Sequence, residues 1–256
     1  MLSRRTLLVT MGCACAAPGQ IPAAQGKSLS RSSQGCQVSD ADLGRIKGRA
    51  MALGRNIGDL SASDIRRSTG NAGMDRALDQ ALKRVSDTFE VLPGFGFYDD
   101  HDGENAWATA RVLLQQTDGT VLFGDRMFAT LMRFDPQGGA VMWTIAHEFA
   151  HIWLYKSGQK SRLLAGQQTV RRVELHADFL AGFYLGTRKR EQPGISLFNA
   201  GHDIWSSGDT LYNDPGHHGT PEERVAAAEA GFKVSYAGRR GTKEAFDAAT
   251  QYVLSR

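Results

Sequence analysis

His147 and His151 stand four residues apart in the stretch His147-Glu148-Phe149-Ala150-His151. In a helix that spacing presents two imidazoles from one face. Zinc takes neutral nitrogen ligands of this kind at about 2.0–2.1 Å. Glu148 lies between them, so its carboxylate projects beside the same ion. From there it can take a proton from an attacking water and pass it to a leaving amine. Two metal ligands and a general base are most of a peptide-hydrolysing site. The flanks strengthen the reading: Val141, Trp143, Ile145, Ala146, Ile152 and Leu154 make this an apolar helix. Polar groups in such a helix need partners, and an unpaired buried charge is costlier still. A metal ion would partner all three.

A catalytic zinc site usually has three protein ligands and a water. Leu154 and Ser157 stand where the metzincin pattern needs Gly and His, which excludes that option. The better source is the second helical pattern, Arg171-Arg172-Val173-Glu174-Leu175-His176-Ala177-Asp178-Phe179-Leu180-Ala181-Gly182. Glu174 and Asp178 share a face there, so Glu174 is the expected third ligand. Asp178 can accept the remaining ring N–H of a ligating histidine and fix its tautomer. Ala177 and Ala181 are small enough for the two helices to approach closely. His176 is a rival ligand, although two residues from Glu174 it points to another face. His217 and His218 are further rivals in a loop, where a histidine is ordinarily exposed. One of that pair could instead reach the site and hydrogen-bond a developing oxyanion. Thr220, Pro221 and Glu223 mark the start of the next helix by a capping box.

These motifs resemble, in their order, bacterial neutral zinc metallopeptidases of the gluzincin type, with an H-E-x-x-H helix followed by an E-x-x-A-D helix. The segment His218-Gly219-Thr220-Pro221-Glu222-Glu223-Arg224 also resembles an element of M48-type peptidases. The resemblance spans roughly residues 90 to 232 and rests on three separate motifs. It implies that His147, His151 and Glu174 bind zinc and that Glu148 is the general base. Phe149-Ala150 replaces the Tyr-Gly pair frequent in that family, and His176 and Phe179 replace Gln and Cys.

The remaining features bound the possibilities. The 256-residue chain is long enough for a sizeable core, and its net charge of +3 calls for neither nucleic acid nor an anionic membrane surface. Arg188-Lys189-Arg190 and Arg239-Arg240 read as solvated surface. Residues 1–24 read as an export signal: Arg4-Arg5, a short apolar run, then small residues. Ser3-Arg4-Arg5 before Leu7-Leu8 resembles a twin-arginine signal, and the apolar run is too short to span a bilayer in the mature chain. Residues 25–42 read as a flexible leader. Of three cysteines, Cys13 and Cys15 fall in the signal and Cys36 in the leader, so no disulfide framework is expected.

Residues 43–256 are then expected to form one domain. Apolar residues recur at helical spacing over Leu43–Leu60 and again over Met74–Phe89. Phe95–Tyr98 and Thr120–Phe123 read as strands; Asn105–Leu114 is ambiguous between strand and helix, although Ala106, Ala108 and Ala110 alternate as a strand would, and such a strand could pair with Thr120–Phe123. Asp125–Phe134 and Thr242–Leu254 read as helices. The expected fold is α+β and zincin-like, mostly helical, with a small sheet edging the active-site helix. In zincins a strand just before that helix edges the cleft, so Thr120–Phe123 is expected to line it. The leading expectation is an exported zinc metallopeptidase acting on protein or peptide substrates. A zinc amidase for cell-wall peptides, or a non-catalytic zinc-stabilised envelope protein, are the alternatives.

Overall fold

The computed structural model describes residues 62–101, 103–114 and 118–256. The export signal, the leader with Cys36, and the apolar pattern of Leu43–Leu60 lie outside the described residues. A 3-10 turn at Ala62–Asp64 leads to α1 (Ala72–Phe89). Asn71 caps it, its side chain accepting from the N–H groups of Gly73 and Met74. The helix stops at Glu90, whose φ of 54° is left-handed.

Three short strands follow: β1 (Gly94–Tyr98), β2 (Ala106–Thr109) and β3 (Thr120–Gly124). Their order in the sheet is β1-β3-β2, with β3 parallel to β1 and antiparallel to β2. Gly119 turns the chain into β3 with φ +134°, and a Cβ there would sit 2.5 Å from the Thr109 carbonyl. The order corrects one expectation. Thr120–Phe123 is the central strand, buried along its whole length, and its main chain is used on both sides. β1 and β2 are the edges, and an isolated bridge from Arg66 to Phe97 covers part of the far side of β1. The Gly124 N–H donates to the Asn105 carbonyl. That phase turns the main chain of Ala106 and Ala108 away from β3. Tyr155, on the helix carrying the histidines, donates its hydroxyl to the Ala108 carbonyl at 3.4 Å. The side of β2 turned from β3 is buried against that helix, and the Ala106 N–H is taken by the Asn105 side-chain oxygen at 2.9 Å.

The rest is helical: α2 (Asp125–Phe134), α3 (Gly139–Ser157), α4 (Gln159–Leu164), α5 (Arg171–Glu191), α6 (Phe198–Ser206), α7 (Pro221–Tyr236) and α8 (Thr242–Leu254). The architecture is α+β, mostly helical with one small sheet. α3 is apolar all round, and buried almost all round, as such a helix must be. It runs antiparallel to α5, His147 lying opposite Asp178 and His151 opposite Glu174. α5 and α7 run parallel and very close. A Cβ on Gly182 would meet the Ala228 carbonyl at 2.0 Å, and one on Gly231 the Phe179 carbonyl at 1.8 Å. Glycine is what permits that approach, and it brings Arg224 of α7 within reach of α5. Among the described residues no helix is long and apolar enough to cross a membrane.

Candidate metal centre

α3 and α5 bring His147, His151 and Glu174 together in the interior, with exposures of 3 %, 0 % and 0 %. The two Nε2 atoms are 3.0 Å apart. The His147 Nε2 is 3.3 Å from Glu174 Oε2, and the His151 Nε2 is 3.6 Å from Glu174 Oε1. Two ligands about 2.05 Å from a tetrahedral ion are separated by about 3.3 Å. The three observed separations bracket that value, so the group is shaped to hold a metal ion. Glu148, next along α3 from His147, is buried with them at 1 % exposure.

The electrostatics fit the same purpose. Burial lowers the His151 pKa to about 4 against the opposing pull of Glu174, so the ring is neutral at physiological pH with a lone pair to offer. Burial alone would raise Glu174. His151, His147 and His218 together hold it well below the usual carboxylate range, so it stays ionised. A carboxylate and two imidazole nitrogens, all desolvated, are a donor set that a divalent cation compensates.

Asp178 stands behind this group. Its Oδ1 is 2.9 Å from His147 Nδ1, which places the ring proton on Nδ1 and leaves the Nε2 lone pair for the centre of the cluster. Arg224 grips the same carboxylate with two bonds of 2.8 Å and donates to the Ser207 carbonyl at 2.9 Å. Burial pushes Asp178 up, but Arg224 and His147 outweigh it and keep the group ionised. A bidentate pair is rigid, so α7 is tied through Asp178 to a candidate ligand on α3. The sequence marks Arg224 only as the end of the His218–Arg224 segment, because its partner lies 46 residues away, beyond any helical periodicity.

His176 does not join the group. It is wholly buried on another face of α5, its ring stacked against Trp153 at 5.7 Å and 9°. His217 and His218 correct another expectation, since both are buried rather than exposed, at 2 % and 6 %. Asp209 gathers them: it binds the Nδ1 of His217, the Nδ1 of His218 at 3.2 Å and the His218 N–H at 2.9 Å. The two then diverge in what they influence. His218 is near enough to Glu174 to help lower its pKa, whereas the charge of His217 bears on Glu223. No sequence signal marked Asp209, because a loop carries no period from which its partners could be read. The capping box does appear, Thr220 Oγ1 accepting from the Glu223 N–H and Glu223 from the Thr220 N–H. No family model, curated protein or solved structure matches the chain.

Proposed function

We propose that this chain is an exported zinc metallopeptidase of gluzincin-like, zincin-type fold. The observation that carries the reading is the convergence of His147, His151 and Glu174 to ligand-to-ligand distances beside the buried Glu148. Two nitrogens and one oxygen in a tight group favour zinc over the oxygen-seeking calcium and magnesium. Among the described residues the group has three members, and His176, a rival for a fourth place, lies elsewhere. A three-ligand site leaves a position open for water or substrate, as catalysis requires and a structural site does not. When bound, zinc supplies Lewis acidity, making water a better nucleophile and a carbonyl a better electrophile.

The protein's own groups would do the rest. Glu148 accepts the proton of the attacking water and delivers it to the departing amine. Asp178, braced by Arg224, holds the His147 ring in the tautomer that presents Nε2. His218, held at two atoms by Asp209, is the histidine of its pair placed to donate to a developing oxyanion. The Arg4-Arg5 signal segment supports export, and a folded-state route would allow metal loading before translocation.

The test is metal content together with cleavage of an unfolded protein such as casein by the parent and Glu148→Ala. Removing a general base costs about 10²–10⁴-fold in rate. The expected result is one zinc per chain in both proteins, with hydrolysis by the parent and a loss of that size in Glu148→Ala. Hydrolysis surviving in Glu148→Ala would refute the role of the carboxylate, and a parent that takes up no zinc would refute the site.

A further inference from the structure

Because α5 and α7 run parallel, their C-terminal ends emerge side by side, at the opposite end of α5 from Glu174. Lys189, Arg190, Pro193, Tyr236 and Arg239 line a concavity there of about 570 Å³. Two basic runs that look unrelated in the sequence, Arg188-Lys189-Arg190 and Arg239-Arg240, thus meet around one hollow, and no carboxylate lines it. We propose that this hollow is a binding site for a phosphate group carried on a larger molecule.

The competing account is that these cations merely neutralise two helix ends. A helix C-terminus carries about half a negative charge, so two parallel helices offer about one. Arg188 is already engaged by Glu191 and Gln192, and Lys233 by Glu229. Lys189, Arg190 and Arg239 remain in the lining. Lys189 donates to the Pro193 and Ile195 carbonyls at 2.7 Å each, which fixes its ammonium in place without cancelling its charge. Three positive charges against about one leave a surplus of about two, close to the charge of a phosphate at neutral pH. Arginine forks suit tetrahedral oxyanions, and the Tyr236 phenol, its ring stacked on Phe232 at 5.0 Å, adds a further donor. The hollow is far larger than a single phosphate and opens to solvent, with Tyr236 46 % exposed. A ligand anchored there by one group can extend outward. A phospholipid headgroup and a soluble phosphorylated compound share that chemistry.

Arg239 also provides a mild variant. Its φ of 49° is the left-handed conformation that glycine adopts more easily, so Arg239→Gly removes the charge without opposing the fold. The experiment uses the full chain, the pair Arg190→Gln with Arg239→Gly, and a charge-matched control, Arg76→Gln with Arg162→Gln on exposed helix surface. Inorganic pyrophosphate is titrated by calorimetry. Sedimentation with vesicles of phosphatidic acid, whose phosphate is a monoester, in phosphatidylcholine, against phosphatidylcholine alone, tests the lipid source. Each cation facing an anionic surface is worth about fivefold, so the pocket variant is expected to bind about 25-fold more weakly than parent and control. Pyrophosphate binding lost in this way supports a soluble ligand. Binding only to the anionic vesicles, lost in the same variant, supports a headgroup. Failure of the parent to bind either probe, or an equal loss in the control, overturns the proposal. Neither probe depends on the metal centre, so this result and that of the peptidase assay are read separately.

Discussion

Glu174 and Asp178 on one face of α5, and His176 on another, are all wholly buried, yet different physics accommodates them. The acidic pair sits among charges. Glu174 meets two imidazoles, and Asp178 meets an arginine fork and a third-party ring N–H, so that both carboxylates stay ionised. His176 sits among rings. Trp153 stacks on it and also on Phe246, 4.0 Å from the latter at 13°, and burial drives the His176 pKa down to about 3. One face keeps charge in the interior because partners converge on it, and the other excludes charge altogether. Burial by itself therefore does not mark a ligand. The convergence of atoms from two helices does, and a two-residue step along α5 decides which environment a side chain enters.

Breaking the charged face should have the largest effect. In Asp178→Asn the Arg224 guanidinium, 3 % exposed, loses its anion. Removing one partner of a buried pair costs about 3–5 kcal/mol, and asparagine's remaining oxygen should keep the loss near the lower figure. Urea unfolding of the metal-free protein measures it directly. A loss under 1 kcal/mol would show that the Asp178–Arg224 pair contributes little. Glu174→Ala should be next, with an effect on metal rather than fold. It removes the carboxylate between the two imidazoles, so zinc occupancy after dialysis is expected to fall below a tenth of the parent's. Retained zinc would move the third ligand elsewhere.

The contrast between the faces of α5 also explains what the sequence disclosed. The helices Asp125–Phe134 and Thr242–Leu254 have the bounds that periodicity and breakers indicated, and Thr220 and Glu223 form the expected cap. Those signals are local, written within a turn or two. The nearness of His147, His151 and Glu174 was legible because the first two share a helical face and the third lies in another buried helix. What was not legible depends on contacts distant in sequence. That β3 is central rather than at the edge depends on β1 lying on its far side. The clamp of Asp209 on both loop histidines depends on the path of an aperiodic loop. The α6 helix, Phe198–Ser206, includes Asn199 and Gly201, weak helix formers that hid it.

The smallest effect belongs to the aromatic face, and it appears only in acid. His176 has an ordinary pKa of 6.5 when unfolded and about 3 when folded. Between those values the unfolded chain binds the proton and the folded chain does not, so stability is complete above pH 6.5 and falls as pH drops toward 3. At pH 5 the loss from this one group is about 2 kcal/mol. His176→Phe should remove it. The phenyl ring can occupy the same stack on Trp153, and the Thr250 hydroxyl it leaves behind, 3.4 Å from the imidazole, still donates to the Phe246 carbonyl. At pH 7.5 the variant should therefore lie within about 1.5 kcal/mol of the parent, with zinc content unchanged. At pH 5 its standing relative to the parent should improve by about 2 kcal/mol. The measurement is urea unfolding of both proteins at the two pH values. His151 titrates in both and cancels from the difference. If the gap between the proteins is the same at both pH values, His176 is not the group that charges on unfolding. If zinc is lost in His176→Phe, the two faces of α5 are not independent.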